Sequence, residues 1–317
     1  MALSHSFVRG LQDAVNDNLE LLPSDFRRLP AAVVPLRRPE LEVELPTLST
    51  RLEAETGILW ARMKHQDRGC YTPALVSDSR SYQQYVQEQC SHLGAAEMPF
   101  KYLVWTSEAK GVFSLGGDLG FFTSCVREGR ERELTEYAHR CIDVLHDNYD
   151  AMGLPILTVA LVTGDAIGGG LESMITNDIV VAEKGAKFGL PEILFNLFPG
   201  MGGYSYLVRK IGEKAARAFV EDGRSRSAEE MVELGLVDVL AEPGEGEQAL
   251  RDYLGQGRRF ATMRTIRRAC KRVDPVQKQE LLDIVDIWVE LAMQLEADDL
   301  RRMDCLARVQ EKKRVKA

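Results

Sequence analysis

Six cysteines fall singly along the 317 residues, none in a CxxC pair, and the five histidines are equally scattered. A disulfide framework and a zinc site are therefore not expected, and a reducing cytoplasm is the default compartment. No apolar run approaches the roughly 18 residues of a membrane-crossing helix. The start, MALSHSFVRGLQDAVND, lacks the apolar core of a signal peptide. Basic charge is also short. Lys and Arg number 40 against 48 Asp and Glu, and the net charge of −8 argues against nucleic acid as the main partner. There is no GxSxG elbow, no Walker A loop and no GxGxxG sequence, so the usual serine-hydrolase and nucleotide-binding fingerprints are missing. Internal repeats and low-complexity tracts are missing too.

What is present suits a soluble globular chain, with 45% hydrophobic and 28% charged residues. Residues 1–46 hold five of the twelve prolines (Pro23, Pro30, Pro35, Pro39 and Pro46). That density predicts an N-terminal extension with at most a short amphipathic helix over 6–22. A core is expected over 47–250 and a charged helical region over 251–317. Residues 57–63 alternate as a strand does, and 101–107 are apolar enough for a strand buried on both faces. Helical spacing marks 79–92 and 131–149, the second burying Leu134, Tyr137, Ala138, Cys141 and Leu145. Asp118 suits a helix N-cap after the Gly116-Gly117 pair. From 215 to 239 two helices are expected, the second opened by a capping box at Ser227 and Glu230.

The chain is organised around 157–201. Strand-like runs at 157–162 and 179–182 bracket Gly168-Gly169-Gly170 and Glu172, and Pro191-Glu192 follows. Both glutamates sit in apolar surroundings, where a carboxylate is costly without a partner or a task. Two glycine loops at strand ends can each offer one backbone N–H. If they converge they stabilise negative charge growing on a carbonyl oxygen. Two carboxylates beside them can move protons, one next to the carbonyl and one at a leaving hydroxyl. On spacing alone, this reactive reading and a structural one stand about level.

Four motifs carry a resemblance: Ser114-Leu115-Gly116-Gly117-Asp118-Leu119, Gly168-Gly169-Gly170-Leu171-Glu172, Phe188-Gly189-Leu190-Pro191-Glu192-Ile193 and Phe198-Pro199-Gly200-Met201-Gly202-Gly203. With Gly235-Leu236-Val237-Asp238 they resemble the enoyl-CoA hydratase/isomerase (crotonase) superfamily over roughly residues 50–245. The resemblance implies an α/β fold of the ClpP/crotonase-like kind, a spiral of ββα units with a C-terminal helical region, assembled as trimers or hexamers. It implies oxyanion N–H groups at Gly117 and Gly169, acid/base carboxylates at Glu172 and Glu192, and no cofactor. Leu115, Gly116, Gly168, Gly200 and Met201 are the substrate-binding candidates in those motifs. The stretches 196–205, 287–295 and 300–304 look like those of diffusible-signal-factor synthases. These dehydrate 3-hydroxyacyl-carrier-protein to a cis-2-enoyl thioester and release free fatty acid. In that chemistry Glu192 takes the α-proton and Glu172 protonates the departing hydroxyl. An ordinary enoyl-CoA hydratase is the alternative enzyme, and an RNA-binding homologue the alternative of another class.

Two features concern substrate choice. Leu281, Ile284, Val285, Trp288, Ala292 and Leu295 form one apolar stripe, read as core or interface, with Trp288 as a candidate wall of an acyl pocket. From Arg258 to Arg272 the chain holds Arg258, Arg259, Arg264, Arg267, Arg268, Lys271 and Arg272 and no acid. That run is either a solvated face or a docking surface for an acidic acyl carrier protein, with Arg264, Arg267 and Arg268 as the candidate contacts. CoA is the alternative carrier.

Overall fold

A computed structural model describes residues 40–65, 68–255 and 259–312. The chain divides into two units, Met1–Arg38 and Pro39–Ala317, and every described residue belongs to the second. The helix expected at 6–22, four of the five extension prolines and Arg258 lie outside the described residues. The end of the extension lies within them. Leu41 is buried, and its carbonyl accepts from Tyr82 Oη and Thr50 Oγ1, both at 2.9 Å.

Two sheets carry the fold. The larger contains β1 (Leu48–Glu53), β2 (Ile58–Met63), β3 (Tyr102–Ser107), β5 (Leu157–Val162), β7 (Ile179–Glu183) and β10 (Val239–Ala241), in that spatial order. Apart from the antiparallel β1–β2 pair, its neighbours are parallel. The smaller contains β4 (Val112–Ser114), β6 (Asp165–Ile167), β8 (Lys187–Gly189) and β9 (Arg226–Ser227). After the β1–β2 hairpin and its helix, three successive turns of the chain give one strand to each sheet and then a helix. After β3 and β4 comes α2 (Leu119–Arg127), after β5 and β6 comes α4 (Gly169–Ile175), and after β7 and β8 comes α5 (Gly203–Ile211). This is the spiral of ββα units expected from the motifs.

Alternation within the strands explains why the larger sheet is covered on both sides. Tyr102 and Val104 of β3, with Leu157, Val159 and Leu161 of β5, pack on one face with Leu250 and Leu254 of α8 (Gly246–Leu254). Leu103, Trp105, Ala160 and Val162 point to the other face and join the main core. Burying one such aliphatic side chain contributes ~1.5–3 kcal/mol. The main core includes α1 (Pro73–Cys90) and α3 (Glu131–Tyr149). Helix α1 begins six residues before its expected start at residue 79. Thr72 Oγ1 caps Leu75 N at 3.2 Å and Pro73 takes the first turn, a signal that lies upstream of the apolar spacing.

Past α5 come α6 (Glu213–Asp222), the short β9, and α7 (Ala228–Glu233), whose Ser227–Glu230 capping box is fully formed. Three further helices follow α8: α9 (Phe260–Val273), α10 (Lys278–Ala292) and α11 (Ala297–Lys312). Helix α9 buries no residue, whereas α10 buries Leu281, Val285, Trp288, Val289 and Ala292. Among the described residues no helix is long and apolar enough to cross a membrane.

Candidate active site

Strand β4 ends at Ser114, and the chain turns through residues 115–118 into α2. Gly116 has φ +91°, and a Cβ there would stand 3.0 Å from Ile167 O and 3.1 Å from Gly169 N. Glycine is what allows this loop to touch the second one, where β6 leads into α4. Tyr71 N donates to Gly116 O at 2.8 Å. A trans peptide points its C=O and N–H in opposite directions, so this bond turns Gly117 N–H away from Tyr71. Gly117 N is 3.4 Å from the point where a Gly169 Cβ would stand. Gly169 opens α4, and the first N–H groups of a helix have no partner within it. Two backbone donors therefore stand side by side. Asp118 starts α2 as expected, its Oδ1 accepting from Phe121 N at 3.0 Å and from Arg68 Nη1 at 2.6 Å.

Glu172 rides on α4 and is only 1% exposed. Its Oε1 accepts from Met201 N and Gly203 N, both at 2.8 Å. Burial pushes its carboxyl up to about 7, against the pull of those two donors. Glu192 opens a 3-10 turn, Glu192–Phe195, after β8 and Pro191. The residue is half-buried, but its carboxylate is inside. Oε1 lies 2.8 Å from where a Gly168 Cβ would stand, and Oε2 is shielded from solvent with no protein partner. Burial, and then the charge of Glu172, push the Glu192 carboxyl well above the ordinary range. Two such neighbours resist ionising together, so the pair keeps one proton near neutral pH. Glu172 Oε1 has two N–H donors, whereas the Glu192 carboxylate is drawn on only by its own backbone N–H, with Oε2 left without a protein partner. The shifts and the donors therefore both weight the pair's charge toward Glu172 and its proton toward Glu192.

Leu115, Gly116, Gly117, Gly168, Gly169, Glu172, Glu192, Gly200, Met201 and Trp288 all line one cavity of about 210 Å³. Its far wall is apolar and is built by Phe122, Tyr137, Val285, Trp288 and Leu306. Trp288 lies flat on Gly200, where a Cβ would come within 2.6 Å of the indole Cγ. The Phe122 ring meets Trp288 and Tyr137 edge-on, with centroids 5.3 and 5.4 Å apart. The sequence reading placed Tyr137 and Cys141 on a buried helix face without assigning them to the cavity. Leu306 and Gln310 also line it, and Gln310 gave no signal, standing beside the basic tail QEKKRVK. Gln310 Nε2 donates to Leu115 O and to Gly117 O, both at 2.9 Å.

Arg264, Arg267 and Arg268 are elsewhere. They line a separate cleft of about 690 Å³ with Asp150 and Asp178. Arg264 donates to Pro155 O at 3.1 Å, Arg267 pairs with Asp238 at 3.3 Å, and the neighbouring Lys271 pairs with Asp178 at 2.7 Å. These heads tie α9 to the body, while Arg268 is exposed. No group of three or more side chains able to hold a metal ion occurs among the described residues.

Comparison with known proteins bears on the fold and the family. The mouse mitochondrial methylglutaconyl-CoA hydratase is 33% identical over 159 residues, 50% of this chain and 48% of its own. The fatty acid oxidation complex subunit alpha of Idiomarina loihiensis is 36% identical over 141 residues, 44% of this chain and 19% of its own. The chain thus spans half or less of the length of these curated relatives. Among solved structures, an enoyl-CoA hydratase from Bacillus halodurans superposes with a TM-score of 0.68 at 19% identity, covering 82% of this chain and 99% of its own. Pseudomonas aeruginosa DspI superposes at 0.60 with 23% identity, covering 77% and 96%. At such identities these structures establish the shared fold. The sequence model of enoyl-CoA hydratase/isomerase matches residues 83–256, just over half of the chain. The chain belongs to the enoyl-CoA hydratase/isomerase, or crotonase, family.

Proposed function

We propose that the chain dehydrates a 3-hydroxyacyl thioester to a cis-2-enoyl thioester and then hydrolyses the thioester to the free acid. Gly117 and Gly169 N–H hold the carbonyl oxygen while charge grows on it. Glu192 removes the α-proton, and Glu172 delivers a proton to the hydroxyl that leaves as water. The supporting observation is that both carboxylates and both N–H donors border one cavity with an apolar far wall. An acyl carrier protein brings the substrate, and the exposed Arg268 on α9 is its cleanest contact candidate. Assembly into trimers or hexamers belongs to the same proposal. Ile287 and Leu291, exposed on α10, are available for such contacts.

A second reading, an enoyl-CoA hydratase of fatty-acid metabolism, is favoured by one observation. The stronger upward push on Glu192 than on Glu172 suits addition of water, with Glu172 activating the water and Glu192 protonating C2. Elimination starts from the opposite arrangement. The test is mass spectrometry of products from a 3-hydroxyacyl-carrier-protein and from the same acyl group on CoA. Release of a cis-2-enoic acid from the carrier-protein substrate is expected. Reversible hydration of enoyl-CoA with no free acid from either substrate would leave the hydratase reading in its place.

A further inference from the structure

The geometry points to Gln310, in the last turns of α11, as a positioning residue that aims the Gly117 N–H. It lies far beyond residues 83–256, which carry the family match, and rests on the thioester reading above. The loop at 115–118 has three consecutive carbonyls, and each has a donor. Tyr71 N holds Gly116 O at 2.8 Å, and Gln310 Nε2 holds Leu115 O and Gly117 O, both at 2.9 Å. Leu119 N approaches Gln310 Oε1 at 3.4 Å, so the amide grips the loop from both ends. The residue is 3% exposed. With both amide hydrogens on carbonyls, its flip state is fixed by what it touches.

Fixing the peptides on either side of the 116–117 peptide fixes the plane that carries Gly117 N–H. A donor acts on a growing oxyanion through its direction, and losing an oxyanion donor typically costs ~10²–10³ in kcat. Misaiming one costs less than deleting it. Helix α11 is held independently by Arg127–Asp304 at 2.6 Å and by Asn196–Asp299 at 2.7 Å. Its docking therefore does not hang on Gln310.

The experiment compares Gln310→Met, which keeps the volume and loses both donors, with Gln310→Glu, which keeps the shape and faces two carbonyls with a carboxylate. Arg127→Ala is the control that loosens α11 away from the loop. Each is read in two ways: steady-state kinetics, and the infrared stretch of a carbon-13-labelled thioester carbonyl in a bound, unreactive acyl thioester. The expected result is a kcat loss of ~10–100-fold in both Gln310 variants with KM changed less than about threefold. The downshift of the bound carbonyl should shrink in parallel, and Arg127→Ala should keep the wild-type downshift. A wild-type carbonyl downshift and kcat in Gln310→Met would overturn the assignment, as would an equal loss in Arg127→Ala. If Gln310→Met does not fold, the infrared reading on Gln310→Glu decides by the same criterion. A wild-type protein that binds the thioester without any downshift would sink the thioester reading itself, a separate outcome.

Discussion

The two carboxylates of the cavity are seated differently. Glu172 is fixed from behind: it sits on a helix, and two backbone N–H groups hold one of its oxygens. Glu192 stands on a single 3-10 turn whose next two residues, Ile193 and Leu194, are 42% and 56% exposed. One oxygen of Glu192 meets no donor at all. Equal chemistry at the tips thus comes with unequal support. The difference teaches that the doubly held carboxylate is the more easily charged of the two.

The strongest way to break this comparison is to neutralise each carboxylate in turn. Glu172→Gln and Glu192→Gln should each lose ~10²–10⁴ in kcat, the usual span of a general acid or base. Gln at 172 still accepts from Met201 and Gly203, so the fold should hold. Near-wild-type turnover in either variant removes that residue from the chemistry. Next comes the donor between them. Gly169→Pro deletes an N–H at a helix position that tolerates proline and should cost ~10²–10³ in kcat. Gly169→Ala keeps the N–H but sets a Cβ 2.5 Å from Met201 Sδ. If Ala and Pro lose equally, crowding rather than the donor is responsible.

Stability against pH tests the seats themselves. Glu172 titrates at about 7 in the folded chain against 4.5 for the free group. The folded state then binds more protons than the unfolded one between those values, so this group's contribution is full below about pH 4.5 and fades as pH rises through about 7. Glu192 adds to the same trend. Urea melts from pH 4.5 to 8 should show falling stability, with a flatter profile in either Gln variant. An unchanged slope would mean that the carboxylates are solvated in solution.

Smaller effects fall on the cavity wall and the surface. Trp288→Ala should lower stability by ~3–5 kcal/mol and move the preference toward longer or bulkier acyl groups. A chain-length profile identical to wild type would make Trp288 a core residue only. Arg268→Glu should weaken kcat/KM by a few-fold for carrier-protein substrates, less for CoA, and less again at high salt. Arg264 and Arg267 also hold α9 in place, so reversing them mixes docking with packing. Equal losses on both carriers would count against docking.

The strands at 157–162 and 102–107 and the helix at 131–149 were legible because apolar periodicity is a local signal. So were the Asp118 cap and the Ser227–Glu230 box, whose partners lie within three residues. The glycine loops and both glutamates were legible as motifs, but their convergence was not. It depends on strands separated by crossovers, whose spacing in space leaves no mark on the chain. Gln310 was hidden for the same reason: its partners, Leu115 and Gly117, are nearly two hundred positions away. The internal partners of Arg264 and Arg267 were equally out of reach, because a charge run reads the same whether its heads meet water or Asp238.

The cavity draws its two halves from the middle of the chain and from its C-terminal helices. The proposed reacting groups stand at Gly117, Gly169, Glu172 and Glu192, while Val285, Trp288, Leu306 and Gln310 come from the last two helices among the described residues. The C-terminal helices therefore wall the cavity without carrying either carboxylate. Under the proposed function, mutation there retunes which acyl groups fit while leaving both carboxylates in place. Tail grafts between relatives should transplant selectivity, provided that a side chain at the position of Gln310 still grips the loop beneath it.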